Sequence, residues 1–287
     1  MALDYERLLN WPFAEVKQSY TDRDTMLYAL GLGFGFNPTD PEELRFVYEE
    51  GLQAFPTMPV VLGHPGSWMS DPETGIDFLK VLHGEQHLEI HQALPPEGTI
   101  LARNRVAEII DKGEGRGALI HVERRVFDHV SGDHLSTQTA VIFARANGGF
   151  GGPVTTGAKP HALPDRPPEA TVDVPVAAQA ALLYRLSGDY NPLHADPAIA
   201  EKAGFPAPIL HGLASYGIAA RAVLQALQVN DATQLRSFGL RFSAPVFPGE
   251  TIRTEIWRDG EEVSFRARVP ARDTVVLNNG RAVIAPA

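Results

Sequence analysis

The 287-residue chain contains no cysteine, which excludes a disulfide framework, a thiolate nucleophile and any zinc or iron–sulfur site held by cysteine. It has no uncharged apolar run long enough for a bilayer-spanning helix, so no membrane span is expected. Basic runs are missing too: 25 Lys and Arg stand against 35 Asp and Glu, a formal net charge of −10. Neutralising nucleic-acid phosphates needs a basic patch, so no nucleic-acid partner is expected. A small phosphorylated ligand stays open, since a few cations can converge locally. The opening MALDYERLLNWPF lacks a basic segment followed by an apolar core, and the closing residues are not of the Ser-Lys-Leu type; the expected compartment is the cytoplasm. What is present, 44% hydrophobic and 21% charged residues over this length, suits a globular protein of two ordinary domains.

Residues 147–170, NGGFGGPVTTGAKPHALPDRPPEA, are dense in Gly and Pro without apolar periodicity and read as a linker. They separate an N-terminal unit, 1–146, from a C-terminal unit, 171–287. GGFGG lacks the Lys-Ser/Thr ending of a phosphate loop. The two units form a weak repeat. Leu27-Tyr28-Ala29-Leu30 can be laid on Leu183-Tyr184-Arg185-Leu186, and Pro59-Val60-Val61-Leu62-Gly63 on Pro208-Ile209-Leu210-His211-Gly212. HLEIHQALPPEGTILARNRVAEI and LRFSAPVFPGETIRTEIWR then share a strand, a proline-rich turn and a strand. Residues 209–227 have the small and apolar side chains of a buried helix. Strands are expected near 238–244, 251–258 and 263–269.

The segment from Tyr184 to Ala200, YRLSGDYNPLHADPAIA, places Asp189 and His194 five residues apart on a turn. Pro192 fixes its own φ and restricts Asn191, whose side chain can bond the backbone of the turn. A carboxylate and an imidazole aimed at one point can take a proton from a shared water and return one elsewhere. The plainer alternative is turn chemistry alone, with Asp196-Pro197 capping the next helix. In the repeat alignment Gly33 stands where Asp189 does, and the first half lacks Asn-Pro-Leu-His. Gly212 opens the buried helix, where its N–H can meet a developing negative charge or where glycine only permits a tight entry. No metal site is expected: His87 and His91 lie on a strand pattern and HExxH is absent. Gly31-Leu32-Gly33-Phe34-Gly35 lacks dinucleotide spacing, and Ser215 does not sit in G-x-S-x-G.

Tyr184, Leu186, Ser187, Gly188, Asp189, Asn191, Pro192, Leu193, His194 and Ala200 resemble, position by position, the signature of the type 2 enoyl-CoA hydratases, the MaoC-like hydratases of the hotdog fold. LHGEQHLEIHQALPPEG, IIDKGEGRG and GGFGG resemble the non-catalytic first half of the hydratase unit in peroxisomal multifunctional enzyme type 2. The resemblance implies an α+β double hotdog, each unit an antiparallel sheet wrapped around a long central helix. It implies a hydro-lyase that reversibly converts trans-2-enoyl-CoA to (3R)-3-hydroxyacyl-CoA, with Asp189 and His194 as the acid–base pair, Gly212 as oxyanion donor and Asn191 orienting the pair. His83, Gly84, Lys112, Tyr190, Pro192, Leu193 and Phe242 fall at substrate-contacting positions. No cofactor is implied, CoA being the substrate's carrier, and a homodimer is. The motif leaves open a MaoC-like dehydratase for branched, dicarboxylic or steroid side-chain acyl-CoA, and a non-catalytic acyl-CoA-binding protein.

Overall fold

The computed structural model describes residues 3–154, 159–229 and 231–286. The first half contains α1 (Tyr5–Leu9), β1 (Val16–Tyr20), α2 (Asp22–Gly31), α3 (Pro41–Leu44), β2 (Val81–Ile90), β3 (Gly98–Asp111), β4 (Ala118–Asp128) and β5 (His134–Ala144). The second contains β6 (Ala170–Pro175), α4 (Ala180–Tyr184), α5 (Pro197–Lys202), α6 (Gly212–Ala226), β7 (Leu235–Phe242), β8 (Thr251–Asp259), β9 (Glu262–Val269) and β10 (Thr274–Ile284).

All ten strands form one sheet in the order β1-β3-β4-β5-β2-β7-β10-β9-β8-β6. The order reads the same from both ends once each strand is replaced by its counterpart in the other half. The repeat seen in the sequence is therefore a structural duplication. At the centre β2 pairs antiparallel with β7 from Glu85↔Arg241 to Glu89↔Ser237, as a pseudo-two-fold axis through the middle of the sheet requires. Tyr28 and Tyr184, matched in the sequence alignment, meet near that axis with ring centroids 5.9 Å apart. Gly31 allows the approach, since a Cβ there would lie 3.3 Å from the Tyr184 Cα. Among the described residues no helix is long and apolar enough to cross a membrane.

The halves differ in what covers the concave face of the sheet. In the second, α6 is rich in alanine, which favours a helix at little side-chain entropy cost. It is buried on nearly every side from Ala214 to Leu224 and packs on β6, β7 and β8. The first half has no such helix, contrary to the expectation of one in each unit. After Gly63 the chain passes through 3-10 turns at Trp68–Ser70, Pro72–Thr74 and Phe78–Lys80. Pro65 and Pro72 cannot donate to a helical ladder, and Gly66 and Gly75 adopt positive φ, so a continuous helix cannot form. Trp68 fills the space instead, packed by Trp11 and Phe13 with centroids 5.8 and 5.0 Å away, over Ile109, Ile120 and Ile142.

The Gly/Pro-rich segment between the halves is anchored at both ends. The buried Asp111 carboxylate, at the end of β3, accepts hydrogen bonds from the amides of Gly113 at 2.8 Å, Gly149 at 2.7 Å and Gly151 at 2.9 Å. The Gly149 amide is the main cause that holds this carboxyl below the usual carboxylate range. Gly148 is required by contact, because a Cβ there would lie 2.2 Å from the Gly113 carbonyl oxygen. Further on, His161 bonds Ser264 at 2.8 Å and Trp257 donates to the Arg166 carbonyl at 2.7 Å. Replacing Asp111 with Ala leaves three amides without their acceptor and is expected to cost about 3 kcal/mol of unfolding free energy. Asp111→Asn, which keeps one acceptor oxygen, should cost less; urea denaturation of both variants checks the order.

Candidate active site

Short helical pieces, each closed by its own cap, shape the turn. α4 continues into a 3-10 turn, Arg185–Ser187, and stops at Gly188, whose φ of +119° suits glycine alone. Asp189 follows, and its Oδ1 accepts from the Asn191 amide at 3.1 Å. The Asn191 side chain accepts from Leu193 N at 3.0 Å and caps the 3-10 turn Pro192–His194, with Pro192 in its favoured first position. Asp196 caps α5 in the same way through Ala198 N, at 2.8 Å. Asn191 and Asp196 thus do what turn chemistry alone requires, while Asp189 and His194 are left facing each other.

The Asp189 Oδ2 lies 4.0 Å from His194 Nε2, and the two side chains differ sharply in exposure, 56% against 10%. His194 Nδ1 lies 2.9 Å from the Ile209 carbonyl. A carbonyl accepts only, so Nδ1 carries the proton and Nε2 turns its lone pair toward Asp189. Burial is the main cause that lowers the His194 pKa, and the imidazole is a neutral base.

His211 lies behind this pair as the N-cap residue of α6. Its ring stacks on His194 at a centroid distance of 3.8 Å and 27°, its Nε2 donates to the Asp189 carbonyl at 3.1 Å, and Tyr184 flanks it at 5.1 Å. The buried Nδ1 has no partner. Burial, reinforced by His194, pushes its pKa down to about 4. Asp189, His194 and His211 are the one group of three potential metal ligands within reach of one another among the described residues. The rings of His194 and His211 stack, and His211 Nε2 is already engaged by the Asp189 carbonyl.

Gly212 opens α6, and its amide belongs to the first turn, where no intrahelical acceptor exists and partial positive charge collects. A Cβ at Gly212 would come within 3.2 Å of the Phe242 ring. Phe242, at the end of β7, packs 4.9 Å from the His83 ring on β2, so both halves contribute to this wall. An irregularity in the β2–β5 ladder between His83 and Glu85 falls at Gly84, where a Cβ would press on the Val141 carbonyl at 3.2 Å. Burial pushes the His83 pKa down to about 4, and its Nε2 has no partner.

The other expected residues are dispersed. Tyr190 is exposed beneath the Arg185 guanidinium, 4.9 Å from its ring centre; Pro192 is exposed and Leu193 half-buried. Lys112 projects from the β3–β4 hairpin. Asp111, Ala118, Ala144 and Val81 form one row across the sheet, and three ladders of about 4.8 Å put the hairpin roughly 15 Å from His83. It does not touch the acid–base pair. Sequence reading missed the side chain of His211 and two residues of the first half, His64 and Arg124. The Asp189 charge acts on His64, and Arg124 acts on both His64 and His83. Arg124 donates to the Leu62 carbonyl at 2.8 Å and so holds the segment that presents His64. The signal for His64 was its place directly after Gly63, the counterpart of Gly212.

Gly33, the counterpart of Asp189, faces Arg221 of α6: a Cβ there would lie 3.0 Å from Arg221 Nη1. Arg221 is ion-paired with Glu43 and donates to the Leu32 carbonyl at 3.2 Å. A structural cross-link between the halves occupies the space in front of Gly33.

Comparison with known proteins agrees with this duplicated architecture. Residues 18–146 match the family model of the MFE-2 hydratase 2 N-terminal domain, and residues 159–279 that of the MaoC like domain. A probable enoyl-CoA hydratase 2 of Dictyostelium discoideum is 36% identical, the match covering 100% of this chain and 98% of that protein. The 3-hydroxyacyl-thioester dehydratase Y of Mycobacterium tuberculosis is 40% identical over 91% of each. The crystal structure of a MaoC-like dehydratase from Phytophthora capsici superposes with a TM-score of 0.87 at 34% identity, covering 98% of this chain and 99% of the other. The chain therefore belongs to the MaoC-like hydratases of double-hotdog fold, its MaoC like domain preceded by an MFE-2 hydratase 2 N-terminal domain.

Proposed function

We propose that this hydro-lyase reversibly adds water to a trans-2-enoyl-CoA to give a (3R)-3-hydroxyacyl-CoA. The observation that carries this reading is the 4.0 Å gap between Asp189 Oδ2 and the lone pair of His194 Nε2, a span that one water bridges with a hydrogen bond to each. The water oxygen bonds to C3 while Nε2 takes one of its protons, and the Asp189 carboxylate stabilises the imidazolium formed. The π electrons of the alkene move toward the thioester. A proton then passes from the pair to C2 on the same face, and the catalyst returns to its starting state.

Charge gathers on the thioester oxygen in the intermediate, and the Gly212 N–H at the start of α6 stabilises it there. Phe242 and His83 form the wall beside the thioester. Asn191 acts through the turn: its amide bonds Asp189 and its side chain fixes the piece that carries His194. The thioester itself polarises the alkene, so the scheme uses no metal or redox step. We assign Lys112, well away from the reacting atoms, to the phosphorylated end of CoA as a mobile cation. Supporting the reading are relatives named as enoyl-CoA hydratase 2 and as a thioester dehydratase, the two directions of this reaction.

Asp189→Asn and His194→Ala should each slow hydration of crotonyl-CoA by about 10²–10⁴-fold with circular dichroism unchanged; near-native turnover in either purified variant sinks the assignment. Chiral chromatography of the product should return the 3R isomer, and a 3S product would place the attacking water on the wrong face of the bound alkene.

A further inference from the structure

We infer that the side chain of His211 is a positioning residue for the acid–base pair, fixing the main chain of Asp189 from below and serving as the platform on which His194 is held neutral. The inference rests on the proposed role of Asp189 and His194, and adds a function for a third imidazole. Gly188 ends its helical turn with no cap beyond itself, and Asp189 is exposed. Its carboxylate is turned by the Asn191 amide within the turn, and its main chain is held from outside. The His211 Nε2–H bond to the Asp189 carbonyl, 3.1 Å long, comes from 22 residues away and ties the turn to the start of α6. One residue further along lies the Gly212 amide. The same backbone link thus sets the carboxylate and the oxyanion donor in register.

The tautomer follows from the contacts. Nε2 donates to a carbonyl, so it bears the proton, and Nδ1 is a buried lone pair without a partner. Protonating His211 would create a buried N–H with nothing to accept it and a cation stacked 3.8 Å from His194. His211 therefore stays neutral while His194 cycles its proton. Its ring also excludes water from one face of His194, and burial is the main cause that keeps His194 from protonating at rest. The groups acting on the two rings are Asp189 and Arg185 from the turn and Tyr184 from α4, and Asp189 also acts on His64 of the first half.

Two substitutions separate the two parts of the role. His211→Phe keeps a flat ring against His194 and removes the donor; His211→Gln keeps an N–H donor and removes the ring. The Phe variant should lose kcat for crotonyl-CoA by roughly 10–100-fold with KM little changed, its acid limb of kcat against pH staying in place. The Gln variant should keep more of kcat, but its acid limb should move up by about half a pH unit as His194 gains solvent. A residue of merely structural value would lower thermal stability in both without moving the limb. If wild-type protein turns over, Asp189→Asn abolishes turnover, and both His211 variants match wild type in kcat and acid limb, this inference fails while the hydratase reading stands. If wild-type protein does not hydrate crotonyl-CoA or longer enoyl-CoA thioesters, the hydratase reading itself fails. Imidazole ¹⁵N shifts of the intact wild-type protein give a test independent of how the variants fold. His211 should be the neutral Nε2–H tautomer and His194 the neutral Nδ1–H tautomer at pH 7; a His211 imidazolium at that pH overturns the inference.

Discussion

The antiparallel ladder between β2 and β7 is the contact on which the rest of the molecule depends. Five residue pairs, Glu85↔Arg241 to Glu89↔Ser237, turn two five-stranded sheets into one. The ladder leaves no free edge at the centre, so neither half exposes a template for further strand pairing there. It also brings His83, near the start of β2, beside Phe242, at the end of β7. The candidate site is thus composite because the sheet is. The acid–base turn and α6 come from the second half, while His83, His64 and Arg124 come from the first.

The two halves share a strand order but differ in what covers it. The second keeps a buried helix whose N-terminus opens beside the acid–base turn. In the corresponding place the first has turns covered by a cluster of Trp11, Phe13 and Trp68, which conceals apolar sheet without creating a helix start. The space in front of Gly33 is taken by the Arg221 guanidinium and its partner Glu43. A buried ion pair of this kind is weak as a source of net stability, yet breaking it is costly because one charge is stranded. Its position linking α6 to the first-half loop makes it a device that sets the halves in one arrangement.

What the sequence revealed depended on how local each signal was. Asp189 and His194 lie five residues apart on a turn whose caps are supplied within it, so their proximity is encoded in the segment, while the Ile209 carbonyl that sets the His194 tautomer lies outside it. The proline-rich strand turns and the alanine-rich helix are local too, and each lies where its pattern places it. The missing helix of the first half was also locally written, in Pro65, Gly66, Pro72 and Gly75, but the resemblance between the halves outweighed those breakers. His211 stood next to a singled-out glycine and was passed over. Its role rests on a contact made across 22 residues and on a ring stack; neither has any periodicity. His64 and Arg124 belong to the other half of the sheet, beyond the reach of any spacing rule. The anchoring of GGFGG was hidden for the same reason, because its acceptor, Asp111, lies 38 residues upstream of Gly149.

The unsatisfied atoms of the site carry the remaining weight. A buried polar atom left without a partner costs about 1–3 kcal/mol, and folded chains generally avoid it. Elsewhere in the core Tyr28 bonds Thr57 at 2.9 Å and Tyr216 donates to the Phe238 carbonyl at 2.7 Å, while Ser136 Oγ and Thr254 Oγ1 are buried without a partner. Around the acid–base turn His211 Nδ1, His83 Nε2 and Ser187 Oγ are buried and unpaired. Two of these are imidazoles held at pKa values near 4, so both stay uncharged through the physiological range. In the proposed scheme the proton taken from water is held by the Asp189–His194 pair until it returns to carbon, with both neighbouring imidazoles neutral.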